Sequence, residues 1–136
     1  MAYLLDTNAC IQILNNSSQA VADRFRAETP ASILLCSVVK AELLYGARKS
    51  QQVSKNLTAL ERFFAPFDSA PFDDEAAEHY GLIRADLDRT GMAIGANDLL
   101  IAAIGRAHDL TVVTNNTGEF TRVVGLRVED WQSAGP

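Results

Sequence analysis

Four acidic side chains lie at positions where a folded α/β protein has no structural need of charge. Asp6 follows a short apolar run, Glu42 interrupts an apolar helix face, Asp98 begins a helix, and Glu119 lies in a short loop. Bringing carboxylates together is unfavourable by on the order of several kcal/mol unless a cation neutralises them. The set therefore predicts a site that binds a metal ion.

The ligand types favour magnesium. Carboxylate oxygens are hard ligands that suit Mg²⁺ and Mn²⁺, whereas zinc sites usually contain Cys or His. The two cysteines, Cys10 and Cys36, have no CxxC spacing, and the two histidines accompany no recognisable serine or cysteine nucleophile motif. The glycines form no phosphate-binding loop. We therefore expect Mg²⁺ as the cofactor, with Mn²⁺ able to replace it.

Each acid also has an ordinary structural explanation when it is considered alone. Asp6 and Asp98 could favour the start of a helix, as a cap or through the helix dipole, and Glu119 could be an exposed loop residue. Glu42 is harder to explain because its neighbours in sequence are largely apolar. The four residues are informative as a set.

The elements that must position these acids follow from the hydrophobic pattern. Apolar or β-branched runs predict strands at 3–5, 33–36 and 111–114, with weaker strands at 67–68 and 126–128. Helices are predicted at 9–14, 19–28, 38–50, 52–64, 74–90 and 97–108, and a loop at 115–118. Short strands separated by helices indicate a three-layer α/β/α sandwich with a central, mostly parallel sheet. Asp6 and the loop both follow strands, so we expect them at the carboxyl edge of that sheet.

Length and composition bound the other expectations. A single domain, 1–136, is expected from 136 residues with 48% hydrophobic content, with a frayed tail at about 132–136. The longest apolar run is too short to cross a membrane, and unpaired cysteines favour a cytoplasmic location. The net charge of −5 opposes RNA binding unless bound cations offset part of it.

Four segments resemble the motifs of the PIN-domain family in order and spacing. They are 4–8 (LLDTN), 39–47 (VKAELLYGA), 97–103 (NDLLIAA) and 113–120 (VTNNTGEF). The closing segment 124–131 (VGLRVEDW) also resembles the end of VapC toxins, especially the subgroup described as cleaving initiator tRNA. The resemblance covers nearly the whole chain and implies a PIN-like fold.

The resemblance implies a metal-dependent endoribonuclease, the toxin of a toxin–antitoxin pair that inhibits translation until its antitoxin neutralises it. The implied substrate is RNA, with tRNA and the anticodon region of initiator tRNA expected. Asn116 departs from many relatives, which have aspartate there, at the place of Glu119, or at both. The matching positions imply catalytic Asp6, Glu42, Asp98 and Glu119, of which the first three are metal ligands. We expect Thr7, Asn8 and Thr114 to support them by hydrogen bonds, and Asn116 to support them by coordinating through its amide oxygen or by positioning a water.

The resemblance also implies protein partners: a VapB-like antitoxin, and a homodimer or toxin–antitoxin hetero-oligomer. A set of apolar side chains on the helices at 38–50 and 52–64 either forms such a surface or packs in the core: Leu43, Leu44, Tyr45, Leu57, Leu60, Phe63 and Phe64. A set of basic side chains either guides RNA or forms a solvated face: Arg48, Lys49, Lys55, Arg84, Arg89 and Arg122. No membrane partner is expected.

Two other functions remain open from the sequence. The uncharged Asn116 is compatible with a PIN-like module that binds RNA or protein with weak catalysis. An aspartate after the first strand is also the nucleophile of HAD-like phosphatases, but those enzymes resemble DxDxT at this point, and the run DTNAC at 6–10 lacks the second aspartate.

Overall fold

Strands and helices alternate along the whole of the computed structural model, which describes residues 1–133. The strands are β1 (Tyr3–Leu5), β2 (Ile33–Cys36), β3 (Asp68–Ala70), β4 (Thr111–Val113) and β5 (Val128–Glu129). The helices are α1 (Thr7–Asn15), α2 (Gln19–Ala27), α3 (Ser37–Arg48), α4 (Val53–Phe64), α5 (Asp74–Thr90), α6 (Ala96–Ala107) and α7 (Thr117–Phe120), with a 3₁₀ turn at Pro30–Ser32.

All neighbouring strands of the sheet are parallel, in the order β3-β2-β1-β4-β5. The chain therefore moves outward in one direction from β1 through β2 to β3, then crosses to β4 and moves in the other direction to β5. Right-handed crossovers place the helices of the two halves on opposite faces of the sheet. The predicted α/β sandwich with a central parallel sheet is confirmed, and the direction of winding changes between β1 and β4.

Helix ends follow the capping residues that the sequence offers. Asp6 and Asp73 cap α1 and α5 by accepting hydrogen bonds from backbone N–H groups three residues later, at 2.8 Å and 3.0 Å. Gly91 ends α5 in the left-handed conformation, with φ of +67°. These features begin and end the helices within a few residues of the predicted positions.

Two predicted boundaries near the carboxyl end of the chain are wrong. The polar loop predicted at 115–118 runs into the one-turn helix α7, where the N–H groups of Glu119 and Phe120 both donate to the Asn116 carbonyl at 3.3 Å. Phe120 is fully buried and anchors this turn to the core. The last strand is β5 at Val128–Glu129, not 126–128, because pairing with β4 sets its register.

A close contact between α6 and the sheet depends on Gly105. A Cβ atom at this position would lie 2.8 Å from Val112 Cγ2 on β4 and 3.2 Å from Leu126 Cδ1. The missing side chain lets the helix backbone approach the sheet, and the face of α6 around it is fully buried. This contact fixes where α6, which carries Asp98, lies relative to β4.

Two further expectations concern the chain as a whole. None of the helices within 1–133 is long and apolar enough to span a membrane. Cys10 and Cys36 are buried free thiols. Residues 134–136 of the predicted frayed tail lie outside the described residues, while the Gln132 side chain accepts hydrogen bonds from Gln12 at 3.0 Å and from Asn115 at 3.3 Å.

Candidate active site

Asp6 lies at the carboxyl end of β1, where the winding of the sheet changes direction. Its N–H donates to the Val113 carbonyl at 3.1 Å, which holds it beside the end of β4. Only 3% of its surface is exposed. Burial raises the pKa of Asp6, opposed by hydrogen bonds from the Thr114 hydroxyl and the Ala9 N–H and increased by repulsion from Glu42 and Asp130. Asp6 therefore both caps α1 and contributes a buried carboxylate to the site.

Glu42 reaches this point from α3. One oxygen of its half-buried carboxylate accepts a hydrogen bond from the Thr7 hydroxyl at 2.8 Å, across 35 residues of sequence. Thr7 is the first residue of α1, so the bond links the start of α1 to the middle of α3, and these two helices follow neighbouring strands. The carboxylate is thereby oriented toward the site.

Asp98 approaches from the other half of the fold, in the first turn of α6. The pKa of Asp98 is raised to about 7, mainly by burial. A hydrogen bond with Glu119 and repulsion from the charges of Glu119, Asp6 and Glu42 also raise it. Because the charges of Asp6 and Glu42 both raise the pKa of Asp98, the three predicted metal ligands interact within one cluster of negative charge. The structure brings together residues that are up to 92 positions apart in sequence.

Glu119 lies on α7 beside Asp98. Its Oε1 accepts a hydrogen bond from the Gly95 N–H at 3.1 Å, and its Oε2 accepts one from the Asn116 side-chain amide. The bond with Asp98 lowers the pKa of Glu119, and the Asn116 and Gly95 donors and the Arg122 charge add to this against the effect of burial. Of the pair Asp98 and Glu119, Glu119 is therefore the one that more readily carries the negative charge.

Asn116 acts here as a donor between two acids. Its Nδ2 also donates to Asp98 Oδ2 at 3.4 Å, and its backbone N–H donates to the Thr114 hydroxyl at 2.8 Å. Of the expected supporting residues, Thr7, Thr114 and Asn116 thus touch the acids or one another. Asn8 is exposed at the start of α1 and takes no part in these hydrogen bonds within the described chain.

Asp130 is a member of the cluster that the sequence analysis missed. It directly follows β5, and its charge contributes to the raised pKa of Asp6. Its Oδ1 also accepts hydrogen bonds from the N–H groups of Gln132 at 2.9 Å and Ser133 at 3.3 Å. The signal was an acid at the end of a strand, as for Asp6, but the predicted strand ended at 128, which separated Asp130 from the carboxyl edge.

A second group of potential ligands lies elsewhere. Among residues 1–133, the three side chains whose ligand atoms all lie within 4.8 Å of one another are Asp73, Glu75 and His108. They join the start of α5 to the end of α6, about 15 Å along that helix from Asp98. Asp73 is already used there as the cap of α5 and as a partner of His108 at 3.3 Å.

The cluster of Asp6, Glu42 and Asp98 has the chemistry of a site for a hard divalent cation. All three groups are carboxylates, and the raised pKa values of Asp6 and Asp98 show that their negative charge is not fully compensated by the protein. A divalent cation would remove this repulsion, and oxygen donors suit Mg²⁺ or Mn²⁺. The residues present therefore fit such an ion in charge and donor type, while their ligand oxygens do not all lie within 4.8 Å of one another in the described structure.

A mostly apolar groove of about 350 Å³ lies between α1, α3 and α4. Glu42 lies in its wall, and its other residues are Ile11, Leu14, Asn15, Leu43, Gly46, Ala47, Asn56, Ala59 and Leu60. The apolar set expected on α3 and α4 divides between roles: Leu43 and Leu60 are buried, whereas Leu44 and Tyr45 are 40% and 66% exposed. A partner lying in the groove would contact Glu42.

The basic residues expected near RNA make different contacts. Arg89 pairs with Asp86 at 2.6 Å on α5, and Arg84 donates to the Tyr80 hydroxyl at 2.9 Å. Arg122 lies beside the acids, and it donates to the Ala93 carbonyl at 2.9 Å. Its position next to Glu119 was not expected from the sequence.

Comparisons with known proteins agree with this fold. The family model described as "PIN domain" matches residues 3–126. The chain is 44% identical to the "tRNA(fMet)-specific endonuclease VapC" of Shigella flexneri, and 39% identical to the protein of that name from Salmonella typhimurium, each over 96% of this chain and 98% of the relative. Among solved structures it is similar to DNA-bound VapBC from Salmonella typhimurium, with a TM-score of 0.90 and 39% identity over 96% of this chain and 98% of that chain. It is also similar to VapBC2 from Rickettsia felis bound to a promoter DNA fragment, with a TM-score of 0.88 and 35% identity over 96% and 99%.

Proposed function

The chain belongs to the PIN-domain family, and on that premise we propose that it is a divalent-metal-dependent endoribonuclease that cuts tRNA and serves as the toxin of a toxin–antitoxin pair. The observation that carries the proposal is the convergence of Asp6, Glu42 and Asp98 at the carboxyl edge of the sheet, where the winding changes direction. An HAD-like phosphatase is not supported, because it would need a second aspartate two residues after Asp6, where the chain has Asn8.

The three carboxylates are proposed to hold Mg²⁺, or Mn²⁺ in its place. When bound, the ion supplies a Lewis acid that activates water and offsets negative charge at the scissile phosphate. Asp6 is held by the Ala9 N–H, and Glu42 by the Thr7 hydroxyl, so neither side chain has to be ordered when substrate binds. These hydrogen bonds keep the carboxylates preorganised despite their mutual repulsion.

The proposed substrate is tRNA, with initiator tRNA as the specific case. The relatives that carry this substrate in their names are 39–44% identical to the chain over nearly its full length. Cleavage of the tRNA pool by the protein would inhibit translation. The acidic character of the site means that binding of a negatively charged RNA depends on the metal, because the cation reverses the local repulsion.

The proposed partner is a VapB-like antitoxin, forming a toxin–antitoxin hetero-oligomer. The similar solved structures are VapBC assemblies, and the groove between α1, α3 and α4 offers an apolar surface that ends at Glu42. An antitoxin segment that filled the groove would cover Glu42. The exposed Leu44 and Tyr45 on α3 give a second apolar surface for assembly, including a homodimer.

Two broader expectations belong to the proposal. We treat 1–136 as one domain, because the family match and the continuous sheet span nearly all of it. We place the protein in the cytoplasm, since both cysteines are buried free thiols and tRNA is found there.

The proposal is tested by incubating a total tRNA pool with purified, antitoxin-free protein in Mg²⁺ or EDTA. Asp6→Asn is the informative variant, because an amide oxygen can still cap α1 while the charge is lost. Asp73→Asn is the matched control, since Asp73 caps α5 in the same way at the far end of α6. Discrete cuts that disappear with EDTA and with Asp6→Asn, but persist with Asp73→Asn, are expected. Intact tRNA in every lane would favour the binding-module alternative.

A further inference from the structure

Two side chains contact the segment just before α6, one on the one-turn helix α7 and one two residues after its end. Glu119 accepts a hydrogen bond from the Gly95 N–H at 3.1 Å, and Arg122 donates from Nη1 to the Ala93 carbonyl at 2.9 Å. The two contacts are made to residues two positions apart in one short segment, 93–95. They therefore fix both its position and its orientation, which a single hydrogen bond would leave free to rotate.

The position of this segment decides where Asp98 lies. Gly95 is the residue that caps α6, and its carbonyl accepts the first helical hydrogen bond, from the Leu99 N–H at 2.9 Å. A Cβ atom on Gly95 would lie 3.4 Å from Asp98 Oδ2, so the two residues are already in close contact. A displacement of 93–95 would move the carboxylate of Asp98 relative to Asp6 and Glu42.

The hydrogen bonds of Glu119 suit a positioning role better than metal binding. Both of its oxygens accept hydrogen bonds from protein donors, Gly95 on one side and Asn116 on the other. Glu42 differs, because within residues 1–133 one of its oxygens is bonded to Thr7 and the other is left for an ion. A carboxylate held by protein donors on both oxygens needs no cation to fix its position.

We propose that Glu119 and Arg122 form a clasp that positions Asp98 by holding residues 93–95, and that neither side chain acts on the metal or on RNA directly. The inference rests on the proposed nuclease function, because it assigns these residues their part in that reaction. Arg122 sits beside the negative charge of Glu119, which keeps the guanidinium at the clasp. Because Arg122 is exposed, contact with an RNA phosphate is the alternative role that the experiment must separate.

The test compares Arg122→Ala, which removes both the charge and the donor, with Arg122→Gln, which keeps N–H donors and removes the charge. The control pair is Arg89→Ala and Arg89→Gln, on the exposed side of α5. We measure kcat and KM for RNA cleavage, and Mn²⁺ affinity of the protein alone by paramagnetic resonance. The clasp predicts that Arg122→Ala lowers kcat and Mn²⁺ affinity about 10-fold or more with little change in KM, and that Arg122→Gln restores most of both.

Two results would overturn the clasp. If Arg122 binds a phosphate, both variants raise KM and reduce the salt dependence of RNA binding, while Mn²⁺ affinity is unchanged. If Arg122 only stabilises the fold, the melting temperature falls but kcat and Mn²⁺ affinity do not. If the wild-type protein cuts no RNA, the proposed nuclease function is refuted instead. The Mn²⁺ affinities would still test whether Glu119 and Arg122 position Asp98.

A double-mutant cycle tests whether the two side chains act together. If both side chains act by holding residues 93–95, the effects of Glu119→Ala and Arg122→Ala are coupled. The double variant then binds Mn²⁺ about as tightly as whichever single variant has the lower affinity. If Glu119 is a metal ligand and Arg122 acts elsewhere, the two fold-changes multiply. Multiplicative losses would therefore refute the shared role.

Discussion

Replacing Asp98 by asparagine is expected to stabilise the metal-free protein at alkaline pH while it abolishes cleavage. The folded protein raises the pKa of this carboxyl from 3.8 to about 7, so it holds a proton that the unfolded chain has already lost above about pH 4. Stability therefore falls as the pH rises from about 4 to 7, and the loss is complete above that window. Asparagine resembles the protonated acid and can still donate a hydrogen bond to Glu119.

The size of the effect follows from the pKa shift of Asp98, from its reduction by solvent screening, and from an opposing interaction with the helix dipole. A shift of this size corresponds to roughly 4 kcal/mol, but Asp98 is only partly buried, and solvent screening leaves about 1–2 kcal/mol. The variant also loses a favourable interaction of the carboxylate with the helix dipole of α6, up to about 1 kcal/mol. A net gain of roughly 1 kcal/mol remains above pH 8, equivalent to about 4 °C in melting temperature.

Thermal unfolding of both proteins at pH 5.5 and pH 8.5, with EDTA or saturating Mn²⁺, measures this difference. In EDTA the wild type should lose stability between the two pH values and the variant should lose less. Mn²⁺ should stabilise the wild type at pH 8.5 and have little effect on the variant, since binding to the folded state raises its stability. A variant that melts below the wild type at pH 8.5 in EDTA would show that the Asp98 charge is not destabilising, and would refute the reasoning.

Three further predictions follow from named contacts. Thr7→Val should lower kcat about 10-fold with little change in melting temperature, because it removes the 2.8 Å hydrogen bond that orients Glu42. Thr7→Ser keeps the hydroxyl and should restore kcat, so equal kcat values for the two variants would contradict this role. Gly105→Ala should destabilise the protein by about 1–3 kcal/mol in denaturant unfolding, since its Cβ would lie 2.8 Å from a side chain on β4, whereas Gly81→Ala, with open space around it on α5, should stabilise by about 0.5 kcal/mol or more. Both thiols should be unreactive toward a disulfide reagent at pH 8 and fully reactive in denaturant, because burial raises the pKa of each; rapid labelling of the folded protein would show that they are accessible.

Much of the fold could be predicted because its local signals agree with the final packing. The run Tyr3–Leu5 is apolar throughout, as expected for a central parallel strand, and Asp73 and Gly91 mark the ends of α5 at the predicted positions. The errors fall where short elements depend on distant partners. The helix α7 has a polar sequence typical of a loop, and it forms because Phe120 is buried beneath it.

Part of the candidate site could also be predicted from the sequence. Asp6, Glu42 and Asp98 stood out because charge at a strand end, in an apolar helix and at a helix start has few structural uses, and the structure brings these three together. Asp130 was missed because its position at the carboxyl edge depends on the register of β5 against β4. Asn8 was expected to support the acids, but the direction of the α1 start leaves it exposed.

The amino-acid sequence by itself determined the order of strands and helices, the parallel sheet, the family and the three acids, because these follow from periodicity, capping and motif spacing within short stretches of chain. Only the tertiary structure showed which groups Glu119, Asn116 and Arg122 contact. Their hydrogen bonds join residues 116–122 to residues 93–98, across as many as 29 positions of sequence, and no local pattern specifies such a pairing. The same holds for the charge state of Asp98, since its pKa depends on burial and on three other carboxylates that only the packed fold brings near it.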